Sequence, residues 1–266
     1  KRVGSQFNFF FMKKYLLMAV SALVLSTTVV NCSRNDDPTQ EQRPVIPASD
    51  YQLSADGTTL IAWKNENTTD LNLKDDPVLG KITSIDNNDR YTGVFRKHPK
   101  LKSIILPENL THLEDEAFNE CSKLESITFP DKFTKILERT FKQCTALASI
   151  DLKNVTTINT GAFEKCTSLK SINFSTQLAT IGNEAFWDCS SLTSITLPAS
   201  LTSIGDSAFQ NCKNLNTITI NRKEPPTLGD WAFYGTSIGS IFVPEVADYE
   251  NAKNWSAYKG KIFKIK

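Results

Sequence analysis

One motif recurs along most of this chain at an almost constant spacing. A phenylalanine, usually preceded by alanine, returns every 22 to 24 residues. The phenylalanines are Phe95, Phe118, Phe141, Phe163, Phe186, Phe209 and Phe233. A cysteine follows five of them by three residues, at Cys121, Cys144, Cys166, Cys189 and Cys212. Because seven units keep one period, the sequence predicts stacked coils of similar conformation.

Each coil exposes apolar residues that only a neighbouring coil can cover. Ile127 and Phe129 are two residues apart, so both point to the interior side of a predicted strand, whereas Ser126 and Thr128 point outward. Strands stacked at about 4.8 Å place equivalent residues in columns, and seven coils extend roughly 34 Å. We therefore predict a mostly β repeat solenoid of about seven coils of 22–24 residues, with short turns and 3-10 segments.

The first 31 residues have the pattern of an export signal. Lys13 and Lys14 follow Met12, and an apolar run then extends over residues 15–30. The run has about 16 residues, fewer than the roughly 20 that a transmembrane helix needs. We interpret residues 1–31 as upstream sequence followed by a secretory signal.

Cys32 follows the apolar run directly. The segment resembles the lipobox of bacterial lipoproteins, with Asn31 where a small residue is usual. The acidic stretch 33–37 is similar to the tether of Bacteroidetes surface lipoproteins. The resemblance implies a lipid on Cys32 and an outer-membrane anchor at the cell surface. The alternative is a secreted protein in which Cys32 has no special role.

The rest of the chain divides into four segments. Residues 32–50 contain three prolines and no aromatic residue, which predicts a flexible tether. Residues 51–80 have alternating apolar residues around Asp-Gly, which predicts a β-hairpin that caps the first coil. The solenoid is expected over residues 81–244. Residues 245–266 contain a helix-like apolar stripe followed by a strand pattern and are expected to form a small α/β cap.

The segment 189–209, which reads CSSLTSITLPASLTSIGDSAF, resembles the BspA-like, or Treponema pallidum-type, leucine-rich repeat family. The resemblance covers roughly residues 78–244. It implies a right-handed leucine-rich repeat solenoid. It also implies a surface-exposed or secreted microbial protein, since members are mostly of this kind and some are linked to adhesion. The family brings no catalytic site with it.

The charge balance argues against nucleic-acid binding. The chain has 30 basic and 29 acidic residues, a formal charge of +1. Four of the basic residues lie in the first 31 positions, which hold no acid, so the remaining chain carries −3. Binding to nucleic acid independently of sequence requires a basic surface. We therefore expect no nucleic-acid partner.

Few residues suggest chemistry. The cysteines lie 22 or 23 residues apart, unlike the close pairs of zinc sites, and parallel Cβ vectors in a column do not favour disulfides. We expect buried, inert thiols. His98 and His112 have no nucleophile in register, although a Ser-His-Asp arrangement in space stays open as an alternative. His98 and Thr236 replace cysteine in the end coils, which predicts less buried terminal coils. We predict a protein that is not an enzyme and has no metal or cofactor.

The outward strand positions form rows of small polar residues. We predict that they form a docking face for a protein or glycan; the alternatives are a solvated face and a structural spacer of the envelope. Exposed aromatic residues outside the repeat columns, Trp187, Tyr234 and Tyr91, are further candidates. A monomer is expected. The predicted face comprises Ser103, Ile105, Glu125, Ser126, Thr128, Ser149, Asp151, Lys170, Ser171, Asn173, Ser194, Thr196, Thr217 and Thr219.

Overall fold

The computed structural model describes residues 45–89 and 92–266. The predicted export signal, Cys32, most of the predicted tether and Tyr91 lie outside the described residues. The strands are β1 (Tyr51–Leu53), β2 (Thr59–Trp63), β3 (Asp70–Asn72), β4 (Ser84–Ile85), β5 (Ser103–Ile105), β6 (His112–Leu113), β7 (Ser126–Thr128), β8 (Lys135–Ile136), β9 (Ser149–Leu152), β10 (Thr157–Ile158), β11 (Ser171–Phe174), β12 (Thr180–Ile181), β13 (Ser194–Leu197), β14 (Ser203–Ile204), β15 (Thr217–Ile220), β16 (Thr227–Leu228), β17 (Ser240–Val243) and β18 (Ile262–Lys264).

Two rows of parallel strands run along the solenoid. The long row consists of β3, then every odd-numbered strand from β5 to β17, and finally β18; hydrogen bonding divides it into β3–β5–β7, β9–β11 and β13–β15–β17–β18. The short row contains the even-numbered strands from β2 to β16. Equivalent residues pair directly, as in Ile195 with Ile218, so the repeat period sets the register. The predicted parallel solenoid is confirmed.

A third row of hydrogen bonds joins the turns of successive coils. The backbone N–H of each repeat phenylalanine from Phe95 to Phe209 donates to the carbonyl of the residue before the next repeat phenylalanine, at 2.7–3.0 Å. Neighbouring coils are thus bonded on three sides where both strand rows are continuous, and on fewer sides at the breaks between β6 and β8, β7 and β9, and β11 and β13. The backbone polar groups in these turns are satisfied by the adjacent coil, and this repeated bonding fixes their conformation.

The phenylalanines form one column in the core. All seven are at most 2% exposed. Neighbouring rings stack with centroids 5.1–5.5 Å apart and interplanar angles of 3–18°. Tryptophans from the end segments close the column, since Trp63 lies 5.7 Å from Phe95 and Trp255 lies 6.0 Å from Phe233. The stacked column confirms that equivalent repeat residues lie one above another.

The cysteines form a second interior column. Each thiol donates to the carbonyl of the phenylalanine in the preceding coil, at Sγ–O distances of 2.9–3.2 Å. All five are buried and free of disulfides. Burial raises the pKa of Cys121 and of Cys166 to about 12. A neutral thiol is therefore the stable form at neutral pH.

The expectation of less buried end coils is wrong at His98, which is only 6% exposed. The amino-terminal segment covers it: His98 Nε2–H donates to the carbonyl of Asn65 at 3.0 Å. Its Nδ1 accepts from Leu101 N–H at 3.0 Å, which fixes this tautomer. Thr236, at the other end, is half-buried and donates to the carbonyl of Phe233.

Both end segments add strands to the solenoid. The strands β1 and β2 form the predicted antiparallel hairpin, with Tyr51 opposite Trp63. With β3 and β18 in the long row, that row has nine strands, two more than the seven repeats. The carboxy-terminal stripe forms helix α1 (Val246–Asn251) and a 3-10 helix (Trp255–Tyr258). Within the described residues, no helix is long and apolar enough to cross a lipid bilayer.

Candidate binding face

Twelve of the fourteen predicted binding-face residues lie in strands of the long row, and the other two, Glu125 and Lys170, directly precede β7 and β11. In β9 and β13 the burial pattern alternates strictly between exposed and buried, so Ser149, Asp151, Ser194 and Thr196 face solvent. This alternation follows from the pleat of a strand with one buried side. The exposed members are Glu125, Ser126, Thr128, Ser149, Asp151, Lys170, Ser171, Asn173, Ser194 and Thr196, and the half-buried members are Ser103, Ile105, Thr217 and Thr219.

Polar groups on this face bond to one another along the solenoid axis. Asn173 Nδ2 donates to Asp151 Oδ1 at 2.7 Å. Ser103 Oγ donates to Asp70 Oδ1 at 2.5 Å, and this hydroxyl is the main cause of the lowered pKa of Asp70. Such bonds hold side chains of neighbouring coils in fixed positions. The face is therefore preorganised, although part of its hydrogen-bonding capacity is already used.

A cleft of about 120 Å³ lies beside this face, at the carboxyl ends of β7 and β9. The segment that follows β9 has one residue fewer between Leu152 and Val155 than the equivalent segment between Phe129 and Phe133. The cleft opens between these two segments. Lys153 Nζ forms an ion pair of 2.9 Å with Asp131 nearby. The irregular coil thus interrupts an otherwise uniform surface with a small, partly apolar recess.

The two histidines do not meet. His98 is buried, whereas His112 lies on β6 with Nε2 3.0 Å from Asp86 Oδ2. His112, Asp86 and the buried Glu114 line a cleft of about 210 Å³. The described residues that line it include no serine, threonine or cysteine. The geometry brings a His-Asp pair together, and the described lining residues of this cleft do not complete it to a hydrolytic triad.

Glu114 holds the backbone next to this cleft. Its carboxylate accepts from Val94 N–H at 2.5 Å and from Asn87 N–H at 3.0 Å. Burial above all, together with the nearby Asp86, nevertheless raises the pKa of Glu114 to about 7. In the described part of the chain, no group of three or more His, Cys, Asp or Glu side chains is arranged to hold a metal ion. Glu114 therefore has a structural role in the first coils.

Comparison with known families decides what kind of solenoid this is. The model of the BspA type leucine-rich repeat region matches six copies over residues 88–198 and 179–259. The chain belongs to the BspA-type leucine-rich repeat family. The resemblance predicted from the Ala-Phe and Cys positions is thus confirmed. No curated protein matches the chain.

Solved structures of similar proteins agree with this assignment. This BspA-type chain is 27% identical to a leucine-rich repeat protein from Bacteroides ovatus, over 63% of this chain and 42% of that one, with a TM-score of 0.54. It is 25% identical to a leucine rich cell surface protein from Faecalibacterium prausnitzii, over 75% and 54% of the two chains, with a TM-score of 0.61. It therefore spans about half the length of these two proteins. The T. pallidum leucine-rich repeat protein shares the fold, with a TM-score of 0.59. It is 23% identical over 72% of this chain and 89% of that one.

The predicted aromatic candidates of this BspA-type protein differ in exposure. Trp187 is half-buried, and Lys165 Nζ lies 4.8 Å from its ring centroid. Tyr234 is 63% exposed. The sequence interpretation missed Trp231, which is 70% exposed in the same turn as Tyr234. The sequence does single out Trp231, because it lies two residues before the repeat phenylalanine, where the preceding coils have no aromatic residue. The equivalent residues of the five preceding coils are Glu116, Arg139, Gly161, Glu184 and Ser207.

Proposed function

We propose that this BspA-type protein is a non-catalytic recognition protein of the cell surface, which binds a protein or glycan through the outer side of its long strand row. The observation that carries the proposal is the nine-strand row, with side chains held in fixed positions on an exposed surface. Repeat solenoids present such extended surfaces for binding. The location is supported by the similarity to the cell surface protein of Faecalibacterium prausnitzii.

The proposal includes an anchor at Cys32. Acyl chains contribute about 0.8 kcal/mol per buried methylene, and stable anchoring needs more than one chain. Lipidation of Cys32, after removal of residues 1–31, would attach the solenoid to the outer membrane through the tether 32–50. Mass measurement of the mature amino-terminal peptide tests this step. A Cys32→Ala variant is expected to leave the membrane fraction, and its retention there would contradict lipid anchoring.

The absence of catalysis is also part of the proposal. The support is the membership of a repeat family and the lack of a nucleophile beside the His112–Asp86 pair in the described cleft. A hydrolase would lose its activity on substitution of this histidine. We expect no hydrolytic activity that His112→Ala abolishes.

A binding experiment with matched variants tests the face. The chain is screened against arrays of extracellular proteins and glycans, and a partner of micromolar affinity is expected. A double variant, Ser171→Arg with Thr196→Arg, places two large cations on the exposed strand face and should abolish that binding. The control, Thr134→Arg, changes an exposed residue beside the short row and should bind normally. Both proteins should keep the wild-type melting temperature, which excludes unfolding as the cause.

A second candidate function is a structural spacer of the envelope. It is favoured by the hydrogen bonds that face residues make with one another, such as Asn173 with Asp151. If the protein is a spacer, we expect that no partner binds at micromolar concentration. The Ser171→Arg, Thr196→Arg variant should then behave like wild type in the cell. Either result would contradict recognition by the strand face.

A further inference from the structure

Among the described residues of the repeats, the last repeat turn carries the two most exposed aromatic side chains. Trp231 is 70% exposed and Tyr234 is 63% exposed, in the turn between β16 and β17. Tyr234 N–H donates to the carbonyl of Trp231 at 2.9 Å, so both rings project from one tight turn. Burial of large aromatic surface is favourable, and two such rings left in water on one turn indicate an interaction site.

The backbone conformation of Trp231 is a second reason to assign a role to its exposed side chain. Its φ is +56°, in the left-handed region, where a bulky side chain is disfavoured. The equivalent residues Glu116, Arg139, Glu184 and Ser207 share this conformation with φ of 50–57°, so the fold imposes it on every coil. Fold stability alone therefore favours a small or polar residue here. A tryptophan that is both strained and exposed points to a role in binding.

These aromatics lie against a cleft with polar groups. The cleft measures about 440 Å³, within the range of ligand pockets, and is lined by Trp231, Tyr234, Asp230, Asn254 and Tyr258 among others. Asn254 Nδ2 donates to Asp230 Oδ1 at 3.1 Å and to the carbonyl of Leu228 at 2.7 Å. The second carboxylate oxygen of Asp230 has no hydrogen-bond partner among the described residues. The cleft thus combines aromatic faces with a fixed carboxylate and amide.

We propose that this cleft binds a neutral carbohydrate. A pyranose ring has an apolar face of C–H groups that stacks on indole and phenol rings. Its edge carries hydroxyl groups that donate to a carboxylate such as Asp230 and accept from the Tyr234 hydroxyl or the Trp231 indole N–H. This turn lies on a different side of the coil from the long strand row. The inference therefore goes beyond the proposed function and does not depend on it.

Other ligand classes fit this cleft less well. Asp230, together with the neighbouring Asp206, disfavours sulfated glycans, phosphates and nucleic acids, whose negative charges it would repel. A quaternary ammonium group needs a cage of aromatic rings, whereas Tyr258 is half-buried and packs edge-on against Phe233 at 6.0 Å. A folded protein partner needs about 800 Å² of surface on each side, more than two rings in one turn provide.

Titration of the full chain with neutral hexasaccharides tests the proposal. Cellohexaose, maltohexaose, mannohexaose and chitohexaose serve as probes, with tryptophan fluorescence and calorimetry as readouts. We expect at least one probe to bind. Trp231→Ala and Tyr234→Ala should each weaken that binding about tenfold, which corresponds to about 1.4 kcal/mol. Trp187→Ala is the matched control, because its ring is covered by Lys165, and it should bind like wild type.

Stability measurements separate a binding role from a structural one. Trp231→Gly should leave the melting temperature unchanged or higher, since glycine adopts a positive φ without strain, and yet should weaken binding. A lower melting temperature, with binding unchanged, would show that Trp231 serves the fold and would overturn the proposal.

Three further results would also overturn it. These are no binding of any of the four probes at millimolar concentration, wild-type affinity in both alanine variants, and tighter binding of phosphocholine or of an unstructured peptide in the same cleft. The double variant Ser171→Arg with Thr196→Arg should keep its oligosaccharide affinity. A failure of this site is therefore distinguishable from a failure of the strand face.

Discussion

Truncation of one phenylalanine in the middle of the column measures how far the coils depend on each other. Phe163 is fully buried, and its ring stacks between Phe141 at 5.3 Å and Phe186 at 5.2 Å. Phe163→Ala removes both ring contacts and leaves a cavity, which costs about 3–5 kcal/mol in well-packed cores. The cavity lies between coils that have no other means of covering their apolar edges, so the surroundings cannot easily fill it.

The expected effect is large enough to measure directly. For a domain of 150–250 residues, each kcal/mol shifts the melting temperature by about 2–4 °C, so a loss of about 4 kcal/mol lowers it by roughly 8–16 °C. Thermal unfolding followed by circular dichroism gives this shift. Chemical denaturation of the same variant should also show a broader transition, because a weakened central interface lets the two halves of the solenoid unfold separately.

A matched substitution at the end of the solenoid provides the control. Phe263 is 43% exposed and lies on the outer side of the last strand, with its ring 6.0 Å from Phe242. Phe263→Ala should change the free energy of unfolding by at most about 0.5 kcal/mol, as surface substitutions usually do. Equal effects of the two substitutions, or a loss below about 1 kcal/mol for Phe163→Ala, would refute the reasoning that the column holds the coils together.

Three other outcomes follow from particular residues. The thiols of the cysteine column, which burial keeps neutral, should react with a thiol reagent only when the protein unfolds; fast reaction of native Cys166 would contradict this. The pKa of Glu114 is raised to about 7, so its stabilising contribution to the folded state is complete at pH values below its ordinary pKa near 4.5. That contribution is lost as the pH rises through 7. The melting temperature should therefore be higher at pH 5 than at pH 8, and Glu114→Gln should reduce this difference. Gly205→Ala should destabilise by about 1–3 kcal/mol, because an added Cβ would lie 2.5 Å from the backbone nitrogen of Asn183; Gly239→Ala, which meets only the side chain of Asn216, is the control for denaturant titration.

The repeat region was predictable because its apolar positions recur in register. The spacing of Phe141, Phe163 and Phe186 alone determines the stacked column, and Ile195 and Ile218 pair as the same spacing requires. The interior and exterior sides of each strand follow from alternation. Here one physical requirement, burial by the neighbouring coil, applies seven times and leaves few alternatives.

The ends of the solenoid were less predictable, since there the pattern changes. Strand β3 pairs with β5 although 33 residues separate Asp70 from Ser103, a longer interval than the repeat. His98 is buried because the amino-terminal segment supplies the Asn65 carbonyl, a contact that spacing does not reveal. The carboxy-terminal stripe divides into two short helices around Asn254, whose φ of 64° is incompatible with a continuous helix. Unique contacts replace repeated ones at both ends.

Binding sites depend on a different property of the fold. Backbone bonds between coils fix the left-handed turn residue in every repeat, while its side chain ranges from buried at Glu116 through half-buried at Ser207 to exposed at Trp231. The backbone thus accommodates many side chains at this position, although a bulky one such as that of Trp231 costs more than a small or polar one. A periodic sequence cannot say which of these turn positions binds a ligand, because the fold does not need any particular residue there. The informative residue is one that departs from its column without benefit to packing, and Trp231 meets this criterion.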